Sequence, residues 1–399
     1  MNILKHIPKS ISKLHHTILP ISSKGSYIFT ENAKYLDLTS GIGALSTGHN
    51  HPYVVEKVKF QLDNYVHIPQ QIFKSHPIQI ELTKKILDIM PTKQLDNIFY
   101  VNSGSEATDN AIKIARSYTK KSNIISINGG FHGRTLGALS VTSSNLNCKR
   151  GITPLLSNTY FCSDFSKESL DKLLTYQSAP EDTAAIIFES VQGECGIKSI
   201  NTDFLKYAER LCNEHNIMLI ADEVQCGSMR TGTWWNFTQK DIEPHIITFA
   251  KGIGSGYPIA GVASSSEIMN ELPLGSLGGT YGGNAISSAA ASATIDILSD
   301  HNLIQNVNDY GLYIKNELTN IRLIKEIRQY GLMIGIELDG NSNFTKEIVC
   351  KLRDRNILVL TAGNQNQYIR LLPPLNIEKK DIDIFIEHFT DILNNYYVE

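Results

Sequence analysis

Five short, almost uninterrupted apolar runs mark the first two thirds of the chain. They lie at residues 98–101, 124–127, 185–188, 218–221 and 246–249. Strands without a polar face are buried on both sides, which is typical of parallel sheets covered by helices. After the first run, apolar residues recur at helical spacing through about Lys120, so a helix follows that strand. We therefore predict an α/β domain built on a mostly parallel sheet.

The two ends of the chain carry a different pattern. Apolar runs at 27–29 and 35–38 flank a polar turn and predict a hairpin. From about Ser299, helical segments alternate with strand-like runs at 333–338, 358–360 and 368–372. The last helix has an apolar side formed by Ile382, Phe385, Phe389 and Ile392. We predict a small α+β domain at 299–399, joined by an N-terminal segment at 1–45, beside a large domain at 46–298.

Composition is that of an ordinary globular protein, with 42% hydrophobic and 19% charged residues among 399. The net charge of −3 offers no electrostatic case for binding nucleic acid or an anionic membrane. The longest uncharged stretch, at 272–295, is rich in Gly, Ser, Thr and Ala, which predicts a glycine loop and a core helix rather than a membrane span.

Cysteine usage and the N-terminus indicate the compartment. The six cysteines are scattered without the paired spacing of a metal site, so we interpret them as reduced thiols and predict no bound metal. The first 16 residues contain lysines and serines but no arginine. Arginine is usually prominent in mitochondrial presequences, so we predict a cytoplasmic protein, with the mitochondrial matrix as the alternative.

Two charged residues stand at the ends of predicted strands. Asp222 follows the run at 218–221, and Lys251 follows the run at 246–249 and precedes glycines. The carboxyl ends of parallel strands share one sheet edge, where α/β enzymes bind ligands. A lysine there loses solvation, which lowers its pKa as a Schiff-base lysine requires. Pyridoxal phosphate needs such a pair, whereas a salt-bridged lysine and a helix-capping aspartate are the ordinary alternatives.

Six ordered motifs extend this pair into a family resemblance. They are Ser103-Gly104-Ser105-Glu106-Ala107, Phe131-His132-Gly133-Arg134-Thr135, Glu189-Ser190-Val191-Gln192-Gly193-Glu194, Asp222-Glu223-Val224-Gln225, Lys251 and Gly279-Thr280-Tyr281-Gly282-Gly283-Asn284. From about Gly25 onward, the chain resembles the class III pyridoxal-phosphate-dependent aminotransferases. These include 4-aminobutyrate, acetylornithine and ornithine aminotransferases.

The resemblance implies a fold type I transferase, with a mostly parallel seven-stranded sheet in the large domain and a small α+β domain. It implies pyridoxal 5'-phosphate as cofactor, with Lys251 and Asp222 as the catalytic residues. The implied cofactor-binding residues are Gly104, Ser105, Phe131, Asp222, Gln225, Lys251 and Thr280. It also implies a homodimer in which Thr280 reaches the partner subunit's cofactor. His132 is interpreted as structural.

The resemblance also implies the substrate contacts. Arg134, Glu194 and Arg370 match the family's substrate-binding positions, with Glu194 and Arg370 as an ion pair that opens when a second carboxylate is bound. The leading hypothesis is transfer of a terminal amino group, from 4-aminobutyrate above all, to 2-oxoglutarate. Acetylornithine or ornithine is the alternative donor. A glutamate-semialdehyde-type aminomutase and a non-catalytic relative are the competing classes.

The sequence departs from the family pattern at a few loop positions. Cys195 stands where the family usually has glycine or alanine, and Met229 where it usually has glycine. Ala285 replaces a frequent proline, and Asn32-Ala33 replaces an Asp-Gly turn. These changes add bulk or alter turns, and they remove no catalytic group. We therefore expect them to affect substrate range rather than the reaction.

Overall fold

The computed structural model describes residues 6–8, 10, 11, 14, 15 and 17–396. Much of the N-terminal segment on which the presequence prediction rests lies outside the described residues. The helices are α1 (Ser40–Gly43), α2 (Pro52–Asn64), α3 (Pro77–Asp88), α4 (Gly104–Thr119), α5 (Leu136–Val141), α6 (Lys167–Tyr176), α7 (Thr202–His215), α8 (Ser266–Asn270), α9 (Ala285–Leu298), α10 (His301–Leu318), α11 (Ser342–Asp354) and α12 (Lys379–Asn394).

Seventeen strands accompany them in the described part of the chain. They are β1 (Ser22–Lys24), β2 (Tyr27–Phe29), β3 (Lys34–Asp37), β4 (Asn97–Val101), β5 (Asn123–Ile127), β6 (Thr159–Cys162), β7 (Thr183–Phe188), β8 (Val191–Gln192), β9 (Lys198–Ser199), β10 (Met218–Asp222), β11 (Ile246–Phe249), β12 (Ala260–Ser264), β13 (Ile324–Tyr330), β14 (Met333–Leu338), β15 (Ile357–Leu358), β16 (Leu360–Ala362) and β17 (Tyr368–Leu371).

The central sheet has seven strands in the order β4-β12-β11-β10-β7-β5-β6. Within it, β12 runs antiparallel to both of its neighbours, and the other pairs are parallel. Strands β5, β7, β10 and β11 are buried along their whole length, because apolar side chains pack on both sheet faces. The predicted mostly parallel seven-stranded α/β sheet is confirmed.

Parallel pairing brings the candidate residues to one edge of this sheet. Asp222 pairs with Thr248 at the carboxyl ends of β10 and β11, and Lys251 follows two residues after the end of β11. At the far side of β12, strand β4 ends and leads into α4, whose first turn begins at Gly104. The sheet edge therefore assembles groups that are far apart in the sequence.

The N-terminal strands pair with the C-terminal part of the chain. Strands β2 and β3 form the predicted hairpin, and β3 pairs in parallel with β15, Leu36 opposite Ile357. A predicted single strand at 358–360 is wrong, because the chain leaves one sheet after Leu358 and enters another at Leu360. The pairing fits a small domain completed by the N-terminal segment, while the boundaries at 45/46 and 298/299 stay predictions.

A second four-stranded sheet, β13-β14-β17-β16, supports the site from the C-terminal side. Its residues alternate between two faces. One face carries Ile327, Ile336 and Ile369, which pack into a core that includes the apolar side of α12. The other face turns toward the loop that precedes β9.

The uncharged stretch at 272–295 becomes a loop followed by α9, whose residues are mostly buried. Among the described residues, no helix is long and apolar enough to cross a membrane. All six cysteines are unpaired in the structure. No group of His, Cys, Asp or Glu in the described part of the chain has the arrangement of a metal site.

Candidate active site

A cavity of about 140 Å³ opens at the carboxyl edge of the central sheet. It brings together residues from five of the six sequence motifs. Its lining consists of Ser103, Gly104, Ser105, Phe131, His132, Gly133, Glu189, Gly193, Glu194, Asp222, Val224, Gln225 and Lys251. The candidate site is thus assembled from separate strands and loops around one opening.

The N-terminus of α4 forms one wall of the cavity. Ser103 caps the helix by accepting from the amide of Glu106, and the Glu106 carboxylate accepts from the amide of Ser103. The preceding amides, those of Gly104 and Ser105, have no intrahelical acceptor and lie at the positive end of the helix dipole. A Cβ on Gly104 would lie 2.8 Å from the Val224 side chain, so this wall has no room for a larger residue.

Asp222 is buried at the base of the cavity. Its Oδ2 is 2.7 Å from Nδ1 of His132, and its Oδ1 accepts from the Val224 amide at 3.1 Å and the Thr248 hydroxyl at 3.0 Å. Three donors from different elements therefore hold the carboxylate in one orientation. The interpretation of His132 as a structural residue fits this bond, but its direct contact with the proposed catalytic acid was not foreseen.

Lys251 faces the cavity from a backbone in the left-handed region, with φ at +47°. Its Nζ donates a hydrogen bond to Oε1 of Gln225. Burial lowers the pKa of Lys251, against the opposing effect of the Glu194 carboxylate. A lysine with a lowered pKa is more readily neutral, which is the form that attacks a carbonyl and accepts a proton.

Glu189 is a buried acid to which the sequence reasoning gave no role. Its Oε1 accepts from the Phe131 amide at 2.8 Å, and its Oε2 accepts from the Gly193 amide at 3.2 Å. It therefore joins two loops of the cavity wall. Burial raises the pKa of Glu189 to about 7. Its place at the head of the motif that ends in Glu194 was the available sequence signal.

Glu194 and Arg370 form an ion pair at the cavity. The Arg370 Nη1 lies 2.8 Å from Glu194 Oε1, and the arginine side chain is only 4% exposed. Burial opposes ionisation of Glu194, yet Arg370 outweighs it and the pKa of Glu194 is lowered. The structure thus brings together two residues that are 176 positions apart in the sequence.

Three predicted site residues are not part of the cavity lining: Arg134, Thr280 and Arg370. Arg370 is buried and reaches the lining through its ion pair with Glu194. Arg134 is exposed, with its guanidinium carbon 5.8 Å from the centre of the Phe131 ring. Thr280 is exposed on the loop before α9. Gly104, Ser105, Phe131 and Gln225, by contrast, line the cavity together with the two proposed catalytic residues.

The family departures occupy different surroundings. Cys195 is partly buried, with Sγ 3.9 Å from Asn364 Oδ1, and it follows the ion-paired Glu194. Met229 is buried with φ at +64°, a conformation in which glycine would be less strained. Ala285 begins α9 after the Asn284 cap, and Ala33 closes the hairpin turn against Thr30.

The residues present fit pyridoxal 5'-phosphate. The free amides at the start of α4 suit its phosphate, because helix N-termini bind anions. Asp222 suits the ring nitrogen, and Lys251 suits the aldehyde carbon. Gln225 Nε2 is buried and has no hydrogen-bond partner among the described residues, so a ring oxygen would satisfy it. Phe131 supplies an aromatic face in the same cavity.

Comparison with known proteins identifies the family. The sequence pattern of the class-III aminotransferases matches residues 10–393. The chain belongs to this family, so it is an enzyme, an aminotransferase, and its cofactor is pyridoxal phosphate. The predicted family, enzyme class and cofactor are confirmed.

Individual relatives cover almost the whole chain. The 4-aminobutyrate aminotransferase GabT of Escherichia coli is 36% identical over 94% of this chain and 93% of its own length. An acetylornithine aminotransferase of Methanocaldococcus jannaschii is 37% identical over 94% of both chains. Among solved structures, an (S)-enantioselective omega-transaminase from Thermomicrobium roseum superimposes with a TM-score of 0.90, at 26% identity, over 98% of this chain and 97% of that one.

Proposed function

We propose that the enzyme transfers the terminal amino group of an ω-amino acid, 4-aminobutyrate above all, to 2-oxoglutarate, producing a semialdehyde and glutamate. The observation that carries the proposal is the ion pair of Glu194, which lines the cavity, with the buried Arg370. An arginine so placed is stabilised only while an anion faces it. Glu194 is that anion in the structure described here.

The ion pair suits two substrates with different charge patterns. A donor whose reacting amine has no carboxylate beside it leaves the Glu194–Arg370 pair closed. Glutamate and 2-oxoglutarate bring a second carboxylate, which Arg370 can bind in place of Glu194. The pair is therefore a charge switch: Arg370 keeps one anionic partner in both half-reactions. An internal amine shift, as in an aminomutase, has no need of such an exchange.

The remaining site residues have roles in the proposed chemistry. Bound pyridoxal phosphate supplies the carbonyl that takes up the amino group and the ring that accepts an electron pair. Lys251 Nζ moves the proton to and from the donor's reacting carbon, which its lowered pKa favours. Asp222, held by three donors, stabilises positive charge at the ring nitrogen. Arg134 is proposed to bind a substrate carboxylate at the cavity mouth.

Acetylornithine or ornithine remains the second candidate donor. A relative named for acetylornithine is as similar to this chain as the one named for 4-aminobutyrate. The loop at 275–284 favours 4-aminobutyrate on one point, because Leu277 stands where acetylornithine enzymes more often have histidine. Both candidate donors carry a terminal amine, and the charge switch would serve either of them.

A donor panel tests the proposal directly. The purified holoenzyme is supplied with 2-oxoglutarate and, in turn, 4-aminobutyrate, 5-aminovalerate, acetylornithine, ornithine and an α-amino acid, and glutamate formation is measured. We expect the highest kcat/KM with 4-aminobutyrate and a low value with the α-amino acid. A preference for the α-amino acid would refute transfer from terminal amines, and a preference for acetylornithine would select the second candidate.

We propose further that the enzyme is a cytoplasmic homodimer whose sites need both subunits. Thr280 is exposed and away from the cavity of its own chain, which supports a role toward the partner subunit. Mixing an inactive Lys251→Ala chain with an inactive Thr280→Tyr chain tests this arrangement. Recovered activity supports shared sites, because one hybrid site then contains neither change. Continued inactivity of proven hybrids contradicts it.

A further inference from the structure

The loop that carries Glu194 lies directly on the sheet that carries Arg370. Residues 193–197 cross the face of β13, β14 and β17, at the row where Arg328, Gly335 and Arg370 pair side by side. Gly335, in the middle of the row, makes this approach feasible. A Cβ there would lie 2.9 Å from the Ile197 side chain and 3.2 Å from the Gly196 carbonyl oxygen. The loop thus rests on the sheet through the Ile197 side chain and the Gly196 carbonyl, with no side chain from position 335 between them.

Two arginines of that row hold the loop from opposite sides. Arg370 donates to the Gly193 carbonyl at 3.3 Å and to the Glu194 carboxylate. Arg328 donates to the Gly196 carbonyl at 3.0 Å. Arg328 lies on β13 and Arg370 on β17, with Gly335 of β14 between them. Because a whole strand separates the two arginines, each one reaches a different end of the loop.

Arg328 is itself fixed in place. Its Nη2 is 2.6 Å from the Glu326 carboxylate, and its guanidinium lies over the Tyr368 ring at 4.8 Å. The Tyr368 hydroxyl donates to Glu337 at 3.0 Å. The same ring contacts Gly196, where a Cβ would lie 2.6 Å away. Arg328 and Tyr368 therefore form a rigid support under the C-terminal end of the loop.

The loop backbone needs this support. Ile197 has φ at +56° although it is β-branched and fully buried, and Gly196 has φ at +86°. Left-handed backbone at a β-branched residue is strained and persists only where surrounding contacts impose it. Contacts from Arg328 and Tyr368 are among those that impose it here.

We propose that Arg328 is a positioning residue of the charge switch, and this inference rests on the proposed function. With a donor bound, the loop is held by the Glu194–Arg370 pair and by Arg328. When 2-oxoglutarate takes Arg370, Glu194 releases it. Among the described residues, the side-chain anchors of the loop backbone that remain are Glu189 at Gly193 and Arg328 at Gly196. Arg328 alone then holds the C-terminal end of the loop by a side-chain hydrogen bond. Arg328 thus stabilises the state that accepts a dicarboxylate more than the state that accepts the ω-amine.

Half-reaction kinetics of holoenzyme variants test this inference. Arg328→Met removes the bond to Gly196, and we expect the KM for 2-oxoglutarate to rise about tenfold, the scale of one charge-assisted hydrogen bond. The KM for the amine donor and both kcat values should change less than about twofold, because the closed pair still holds the loop. Arg328→Lys, which keeps a cationic donor, should recover part of the loss. Lys379→Met is the control, a cation of α12 that pairs with Asp383 instead of the loop.

The outcomes separate this inference from the proposed function. If the wild type makes no glutamate from 2-oxoglutarate with any terminal amine, the proposed function fails and the charge switch with it. If the wild type does so and Arg328→Met raises both KM values equally, or neither, the positioning role is refuted. Should the methionine variant not fold, Arg328→Gln compared with Arg328→Lys provides the same readout.

Discussion

Burial and neighbouring charges act on the pKa of Lys251, some lowering it and others raising it. Burial lowers its pKa, the Glu194 carboxylate raises it, and the Arg370 guanidinium lowers it. Because Glu194 and Arg370 are bonded to each other, a change in either one exposes Lys251 to the other. The pKa of Lys251, the proposed proton carrier, therefore depends on the state of the charge switch.

Neutralising Glu194 and neutralising Arg370, the two residues of the charge switch, should move the pKa of Lys251 in opposite directions. Glu194→Gln removes a raising effect and should lower it, whereas Arg370→Gln removes a lowering effect and should raise it. The pH dependence of Lys251 modification by an amine-reactive reagent in cofactor-free enzyme, located by mass spectrometry, measures both. Shifts in the same direction for the two variants would contradict this electrostatic account.

Substitution of Lys251 itself should abolish turnover while the fold persists. Lys251→Ala removes both the covalent link to the cofactor and the proton carrier, so glutamate formation should fall by far more than about tenfold. Circular dichroism and gel filtration check the fold. In the wild type, borohydride reduction followed by mass spectrometry should place the cofactor on residue 251. An adduct elsewhere would overturn the assignment.

The residues at the strand ends could be predicted from the sequence, but not all of their partners could. Asp222 and Lys251 could be placed because each directly follows a buried apolar run. The contact of His132 with Asp222 joins residues 90 positions apart, and a lone loop histidine carries no periodic signal. Glu189 heads one of the sequence motifs, but its role was hidden because its two bonds go to backbone amides that no side-chain pattern reports.

At the scale of elements, helix α4 has two roles. One side of it is buried in the core, and its first turn forms a candidate anion site. The Ser103 and Glu106 capping box fixes where the helix begins. That starting point decides which amides stay free to face the cavity. The position of the first turn therefore affects cofactor binding as well as stability.

Removal of the Ser103 cap should weaken both cofactor binding and stability. Ser103→Ala should cost about 1 kcal/mol of stability, the usual effect of losing an N-cap side chain, and should also reduce cofactor affinity. Thermal unfolding of cofactor-free enzyme measures the first effect, and titration with pyridoxal phosphate measures the second. Ser166→Ala, which uncaps the distant helix α6, is the matched control and should change stability alone. Unchanged cofactor affinity in Ser103→Ala would refute the link.

Two features of the sheets were not predicted from the sequence, each for its own physical reason. Strand β12 is Ala-Gly-Val-Ala-Ser, whose small residues give little hydrophobic signal although all are buried. They are small where they are closely packed, since a Cβ on Gly261 would lie 2.3 Å from the Phe249 ring. The exchange of sheets at Val359 was missed because continuous β-type residues conceal where one strand ends and another begins.

At the scale of the molecule, buried acids make stability depend on pH. Glu223 is buried and accepts from the amides of Asn236 and Phe237. Burial raises the pKa of Glu223 to about 7 from an ordinary value of 4.5. The folded state therefore binds a proton that the unfolded state has released between these values. The corresponding stability is present below 4.5 and is lost as the pH rises through about 7.

Glu223→Gln should remove this dependence. The difference in melting temperature, variant minus wild type, should increase as the pH is raised from below 5 to about 8, because only the wild type then carries a buried charge at this position. Glu189 has a similarly raised pKa and stays in both proteins, so it cancels in the difference. A difference independent of pH would contradict the assignment.

The pairing of β3 with β15 determines when the four-stranded sheet at the N-terminus can be completed during synthesis. Leu36 and Ile357 are partners, so a strand among the first to leave the ribosome waits for one among the last. Until then the hairpin of β2 and β3 presents an unpaired edge, a state prone to association with other chains. Premature termination before residue 357 would leave that edge permanently open, even in a product that contains Asp222 and Lys251.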